Sequence, residues 1–369
     1  MGKYLFVMPW GSMELDIEED AQGLHVVMTS PERNMTVVPE VAERRGDVIV
    51  LEAGAGDYGM HFELRDNGNG YDVTGRIPVV GEISGKAAPA EQVAAEEKKR
   101  KEEMEQFLAI EREKEPVKRS EEEIDALVEE LLSKMTLEEK IGQMTQSGGL
   151  DTSAIGNEVE QQLPLKEQIR RGLLGSMIAM ASPVDLFELQ KLAVEESRLG
   201  IPLLYCRDVI HGQETVFPIP LAWACSFDPG LVQEAAAAAA REASSIGVMV
   251  AFAPMLDIAR DPRWGRIAEG HGEDPYLDAR MGEAVVRGYQ GDDLLKKDTV
   301  GACLKHFLGY GAVEGGRDYN TCEISEVTLR NSYLPPFTAG INAGASMVMS
   351  AFTVLNGRPI TASRQYLHD

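Results

Sequence analysis

The second half of the chain carries five near-continuous apolar runs, at residues 174–180, 201–206, 248–255, 301–307 and 346–352. They lack the polar/apolar alternation of a half-exposed strand, so each reads as a strand covered on both faces, the usual condition in a parallel sheet. Helical segments fall between them, at 185–196, 229–245, 278–290 and 325–343, and strict alternation of strand with helix predicts an α/β domain. A doubly wound sheet would put a Gly-rich phosphate loop after its first strand, and no GxGxxG follows any of these runs. Several runs end instead in polar residues, Arg207-Asp208, Lys305-His306 and Ser350, and strand C-termini are where a (β/α)8 barrel keeps its chemistry. The fold predicted is a TIM-type (β/α)8 barrel, incomplete in this chain because about five of the eight strands can be counted.

Residues 1–88 read differently. Short alternating stretches such as Met13 to Ile17, Leu24 to Met28, Asp47 to Leu51 and Met60 to Leu64 suggest half-buried strands. Asp66-Asn67-Gly68-Asn69-Gly70 between two of them is a strong hairpin signal, because those residues tolerate positive φ. A small all-β antiparallel domain of about six to eight strands is expected here. Its histidines, His25 and His61, are isolated in sequence and read as sheet-surface residues. Residues 89–123 turn to Ala, Glu and Lys, with both charges interspersed in Glu96 to Glu103, and read as a solvated helical linker interrupted near Pro116. Helical periodicity resumes at Ile124, Leu127, Val128, Leu131 and Leu132, and Thr136 with Glu139 forms a capping-box signature. The partial barrel domain is assigned to residues 124–369.

The formal charge of −24 argues against a nucleic-acid partner and against docking on anionic lipid. No stretch of 18 apolar residues is present, so no membrane partner is expected. The segment Met1 to Trp10 lacks the small-residue site of a secretion signal, and Phe6 stands where a myristoylation signal needs Ser or Thr. The four cysteines, Cys206, Cys225, Cys303 and Cys322, show no CxxC pair or metal-ligand spacing. A reduced, cytoplasmic protein without a metal is the expectation.

Taken one at a time, the polar residues after the strands are ambiguous. Asp208 could be a helix cap. Arg260 to Arg266 surrounds Trp264 with three arginines and offers planar donors with an aromatic face, suited to a polyhydroxylated ring, or else forms an ion-pair network with Asp257, Asp261 and Glu269. Lys305-His306 could be a core histidine beside a snorkelling lysine, or two donors to adjacent hydroxyls. Gly315-Gly316-Arg317-Asp318-Tyr319-Asn320 is a polar loop on the same face. Together they outline a donor-rich pocket for a neutral polyol.

From about Leu131 onward the chain resembles the N-terminal catalytic domain of glycoside hydrolase family 3, the β-glucosidase-type enzymes. The resemblance rests on ordered blocks: Met135 to Met144, Asp208 to Gly212, Phe217 to Leu221, Phe252 to Met255 with Asp257, and Arg260 to Arg266. It continues through Gly272 to Pro275, Lys305-His306-Phe307, Gly316 to Asn320 and Val348 to Phe352. The resemblance implies a glycone-binding set of Asp208, Arg266, Lys305, His306, Arg317 and Met349. It also implies an exo-acting retaining hydrolase that removes β-linked glucose, acting on a β-linked oligosaccharide or glucoside, with no cofactor. A β-xylosidase, another exo-glycosidase, or a non-catalytic sugar- or partner-binding fragment are the alternatives.

Two departures qualify the resemblance. Phe352 stands where some family members carry Tyr. The family's nucleophile is an Asp in a Ser-Asp-Trp-type motif at the end of the next strand, and its acid/base carboxyl usually comes from a following domain; neither is found here. Asp369 lies in the block before that strand and is not assigned the role. The chain alone is therefore expected to be inactive, with its missing C-terminal part or a second copy as the expected protein partner. A related subgroup, the β-N-acetylglucosaminidases, places a His–Asp dyad shortly after the Lys-His strand, and Leu308 to Gly316 contains no histidine.

Overall fold

The computed structural model describes residues 2–8, 11–21, 23–30, 35–54, 59–77, 81–112, 116–148, 163–178 and 182–368. Asp369, Pro9 and Trp10 lie outside them. Residues 1–115 form one compact unit, and residues 116–149 and 161–369 belong to a second.

The first unit is an antiparallel meander. Its strands are β1 (Gly2–Met8), β2 (Gly11–Asp20), β3 (Gly23–Ser30), β4 (Met35–Val37), β5 (Val41–Arg45), β6 (Val48–Ala53), β7 (Met60–Asp66), β8 (Tyr71–Ile77) and β9 (Gly81–Pro89). They are ordered β4-β3-β2-β1-β9-β8-β7-β6-β5. Following strand direction through the antiparallel pairs shows that β4 and β5 run the same way, separated only by residues 38–40. The two sheet edges are thus halves of one leg, broken at Pro39, which has no N–H to give to a ladder. β5 also contacts β3, so the sheet curls closed. The ninth strand beyond the expected six to eight comes from this break. Alternate residues, among them Met13, Leu15, Ile17, Val26, Met28, Ile49, Leu51, Phe62 and Leu64, fill the interior.

The charged segment forms one helix, α1 (Ala90–Arg112), whose Lys98–Glu102 and Lys99–Glu103 pairs are solvated at i,i+4 spacing. α1 packs on β1 and β9, so it belongs to the first unit. In the second unit, α2 (Glu121–Lys134) and α3 (Leu137–Gln143) each begin in a reciprocal capping box, Ser120 with Glu123 and Thr136 with Glu139. α2 buries none of its residues; its periodic Ile124, Leu127, Val128 and Leu132 are exposed.

Six parallel strands follow in sequential order: β10 (Gln146–Ser147), β11 (Ser176–Ile178), β12 (Leu204–Arg207), β13 (Val250–Ala251), β14 (Gly301–Phe307) and β15 (Met347–Ser350). Helices α4 (Leu165–Arg170), α5 (Pro183–Glu196), α6 (Pro220–Ala224), α7 (Pro229–Ser245) and α8 (Pro275–Gln290) occupy the crossovers, then α9 (Glu326–Thr328) and α10 (Leu334–Asn342). This is the curled parallel sheet of an incomplete (β/α) barrel. One face carries Ile178, Leu204, Cys206, Val250, Phe252, Cys303 and Met349. The intervening residues Met177, Tyr205, Ala251, Ala302 and Leu304 pack into the larger core with the helices.

Local chemistry explains these boundaries. α5, α7 and α8 start at Ser182, Asp228 and Asp274, whose side chains accept from backbone N–H groups, each followed by Pro at the first turn. α7 and α8 pack closely, because a Cβ on Gly288 would lie 2.6 Å from the Ala236 methyl. β10 is one strand more than expected, since only two residues pair there and they are polar. β13 is shorter than its apolar run because Pro254 interrupts the donors. The helix expected over 325–343 divides, with a π turn at Leu329–Tyr333 just before Pro335 and Pro336. Among the described residues, no helix is long and apolar enough to cross a membrane.

Candidate functional site

The parallel sheet carries the polar residues at its C-terminal end. Asp208 immediately follows β12, Lys305 and His306 close β14, and Met349 lies in β15. The ladder between β14 and β15 shifts register between Leu304 and Phe307. This irregularity frees Lys305 and His306 from strict alternation, so both are available at the end of the sheet.

Lys305 Nζ donates to Asp208 Oδ1 at 2.5 Å. The lysine side chain is 3% exposed and that of Asp208 54%, so a buried ammonium meets a carboxylate that opens to solvent. No described residue bonds Asp208 Oδ2. His306 is buried and doubly tied to Asp257: Oδ2 accepts from its backbone N–H at 3.1 Å and lies 2.8 Å from Nδ1. A carboxylate only accepts, which places the Nδ1 proton toward Asp257 and leaves Nε2 as the ring nitrogen for a ligand.

Arg266 lies in the short helical turn Gly265–Glu269 and makes a bidentate pair with Glu269, Nε to Oε1 at 2.6 Å and Nη2 to Oε2 at 2.9 Å. The pair raises the guanidinium pKa against opposing burial. Burial pushes the Glu269 carboxyl up, but Arg266 outweighs it and leaves Glu269 below the usual carboxylate range. Arg266 also spans the Tyr310 ring, 5.4 Å from its centroid. The ring centroids of His306 and Tyr310 are 5.0 Å apart, edge to face.

Tyr310 is therefore the hub of the site. Its hydroxyl and the Trp264 Nε1, the latter at 3.0 Å, both donate to Asp318 Oδ1. Burial raises the Tyr310 pKa, so the phenol stays protonated and keeps donating. Gly316 lets the loop dock: its φ is +66°, and a Cβ there would come within 2.7 Å of the Trp264 nitrogen. Tyr319 and Phe352 are 62% and 54% exposed, with ring centroids 5.3 Å apart, and offer aromatic surface beside His306.

The structure thus brings Asp208 with Lys305, and His306 with Arg266 through Tyr310, to one end of the sheet. Met349 packs half-buried on the inner face with Cys206 and Cys303. Arg317 is exposed on the Gly316 loop and forms no ion pair with any described residue. Trp264, expected to offer an aromatic face, is 1% exposed and serves the loop instead. The arginine cluster is partly the ion-pair network considered for it, Arg263 with Asp261 and Arg266 with Glu269, whereas Arg260 pairs with Glu314 and Asp257 with His306. Sequence reasoning alone does not assign Tyr310 or Glu269 to the site; an aromatic residue four positions after the histidine of a Lys-His strand end is the available signal.

Residues 136–369 match the family described as glycosyl hydrolase family 3 N terminal domain. A periplasmic beta-glucosidase of Salmonella typhimurium is 42% identical over 245 residues, covering 66% of this chain and 31% of that protein. A putative beta-xylosidase of Formosa agariphila is 36% identical over 253 residues, 63% of this chain and 33% of that protein. Among solved structures, the beta-glucosidase from Listeria innocua in complex with isofagomine superposes with a TM-score of 0.61 at 43% identity, over 68% of this chain and 34% of that one. A mutant of the same enzyme in complex with laminaribiose gives a TM-score of 0.60 at 41% identity, over 67% and 35% of the two chains. The chain spans about a third of the length of the curated relatives it matches.

Proposed function

Because the chain belongs to glycosyl hydrolase family 3, we propose that it carries the glycone-recognition part of an exo-acting, retaining β-glucosidase-type hydrolase. The observation that carries this reading is the Asp208–Lys305 pair, in which a buried ammonium holds one oxygen of a half-exposed carboxylate and no described residue bonds the other. In this reading Asp208 accepts from sugar hydroxyls remote from the scissile bond, while Lys305, His306 and Arg266 donate to the other ring hydroxyls. Arg317 and Met349 complete the rim and the inner wall. Fixed donors of this kind serve catalysis when their bonds strengthen as the sugar ring flattens toward an oxocarbenium-like transition state.

Retention requires one carboxylate that attacks the anomeric carbon and a second carboxyl that protonates the leaving oxygen and then activates water. The carboxylates described at this sheet end are engaged locally, since Asp208 holds Lys305, Asp257 holds His306, Glu269 holds Arg266 and Asp318 accepts from Tyr310 and Trp264. We therefore assign the nucleophile and the acid/base to neither these residues nor Asp369. They come from another segment, supplied in cis or by a second polypeptide. A β-xylosidase activity is the second reading, favoured by the beta-xylosidases among the relatives.

The test is hydrolysis of aryl β-glucoside and aryl β-xyloside by purified residues 1–369, alongside calorimetric titration with glucose and xylose. The expected result is no turnover, with sugar binding that Asp208→Asn weakens. Turnover would show that a carboxylate of this chain attacks the sugar. Absence of binding by either sugar would overturn the recognition role.

A further inference from the structure

The closed β-barrel of the first unit has a cleft of about 370 Å³ at one end, where β5, β7 and β9 finish and β1 and β8 begin. That volume lies in the range of small-molecule sites, about 300–1,000 Å³. The rings of Tyr4 and Tyr71 form its floor, edge to face at 4.9 Å. Below them the barrel is filled by Phe6, Ile17, Ile49 and Phe62, so a ligand would rest on the floor and could not enter the lumen.

The walls are polar and not fully used. Arg44 Nε donates to Glu19 at 3.2 Å, and the guanidinium also lies beside Tyr71. Asp66 Oδ1 accepts the Gly68 N–H at 2.8 Å, while no described residue bonds its Oδ2. Asn69 Nδ2 donates to Gln92 at 3.2 Å, which fixes the amide and leaves its carbonyl oxygen without a described donor. The hairpin bearing these groups is held against β9: at Gly70, φ is +145° and a Cβ would fall 2.2 Å from the Ala87 carbonyl oxygen. Two fixed acceptors, one tethered cation and a tyrosine floor therefore face one concave space.

We propose that this cleft is a second carbohydrate site, which binds the end of a neutral oligosaccharide. An anion is a poor match, because Glu19 already neutralises Arg44 and Asp66 adds a further negative charge. A purely apolar ligand would strand the Asp66 and Asn69 acceptors without partners. A sugar end meets both demands, since its hydroxyls donate to these oxygens and its C–H face covers tyrosine. The site lies in the unit outside the family match, and the inference does not rest on the hydrolase reading.

Calorimetric titration of residues 1–369 with cellobiose, laminaribiose and xylobiose, with inorganic phosphate as the anionic control, tests it. The background is Asp208→Asn, which weakens the site on the parallel sheet. At least one disaccharide should still bind this variant with a dissociation constant near or below about 1 mM. Arg44→Met and, separately, Asn69→Ala should weaken that binding about tenfold. Asn69 lies on an exposed turn, so its variant keeps the test sharp if Arg44→Met unfolds the barrel. Binding unaffected by both substitutions, no binding of any of the three disaccharides, or phosphate binding in their place would each overturn the proposal. None of these results bears on sugar binding by the parallel sheet, which is read in the protein with Asp208 intact.

Discussion

Replacing Asp208 by Ala removes the one described partner of a buried ammonium, and the consequence can be worked out. An exposed ion pair contributes about 0–1 kcal/mol, and breaking a fully buried one costs about 3–5 kcal/mol. Here Lys305 is buried while Asp208 is half open to water, so water screens the pair from one side. A loss of about 1.5–3 kcal/mol follows, the range of a hydrogen bond to a charged group. Urea unfolding at pH 7 should show that loss as a lower midpoint for Asp208→Ala. Lys305→Met should be tolerated better in the Asp208→Ala background than alone, with a coupling of about 1–2 kcal/mol. Additive single losses, or an unchanged urea midpoint for Asp208→Ala, would refute the idea that Asp208 compensates a buried charge.

Glu139 caps α3, pairs with Arg198, and is held at about 2 by the Arg198 hydrogen bond and the Thr136 N–H. Glu139→Gln should cost about 0.5–2 kcal/mol at pH 7. Because the folded pKa is depressed, the wild-type advantage is full above the ordinary value of 4.5 and fades as pH falls toward about 2, which unfolding midpoints across that window will show. Gly316→Ala forces a Cβ onto the Trp264 backbone at positive φ and should destabilise the loop by about 1–3 kcal/mol; unchanged tryptophan emission and melting temperature would contradict it. Burial pushes the Cys206 thiol up to about 11 and that of Cys303 up to about 12, and Cys322 is also buried, while Cys225 is exposed. Titration of the native protein with a disulfide reagent at pH 8 should therefore label Cys225 rapidly and the other three only on unfolding.

The parallel sheet was legible because five of its six strands lie in near-continuous apolar runs, and β14 was bounded to the residue. Where the apolar run and the ladder disagree, backbone chemistry decides. Pro254 cuts β13 short, and β10 pairs through Gln146 and Ser147 without any apolar signal. The C-terminal polar residues were legible one by one, but their pairing was not. Nothing in the spacing of Asp208 and Lys305 tells that they meet, since that contact depends on β12 and β14 flanking β13. Trp264 shows the converse limit: an aromatic residue among arginines has the composition of a sugar platform, yet its indole is consumed by Asp318. The apolar stripe of α2 is periodic as its sequence says, but periodicity does not say whether a partner surface covers it.

The interrupted leg at Pro39 gives the first unit a ring-like topology with its seam elsewhere. β1 pairs with β9, Tyr4 with Pro89 and Phe6 with Ala87, so the natural ends of the barrel are neighbours across about 80 residues of chain. Closing a loop of that length costs ~4 kcal/mol in chain entropy, and the barrel cannot seal until β9 has been made. During synthesis β1 has only β2 beside it, which leaves one edge open to stray strand pairing until the last leg arrives. Joining the two neighbouring ends and opening the chain instead at residues 38–40, where the ladder is already broken, would move that exposed interval without changing a single strand pair. A circular permutant of this kind should reach the same barrel through a different order of closure.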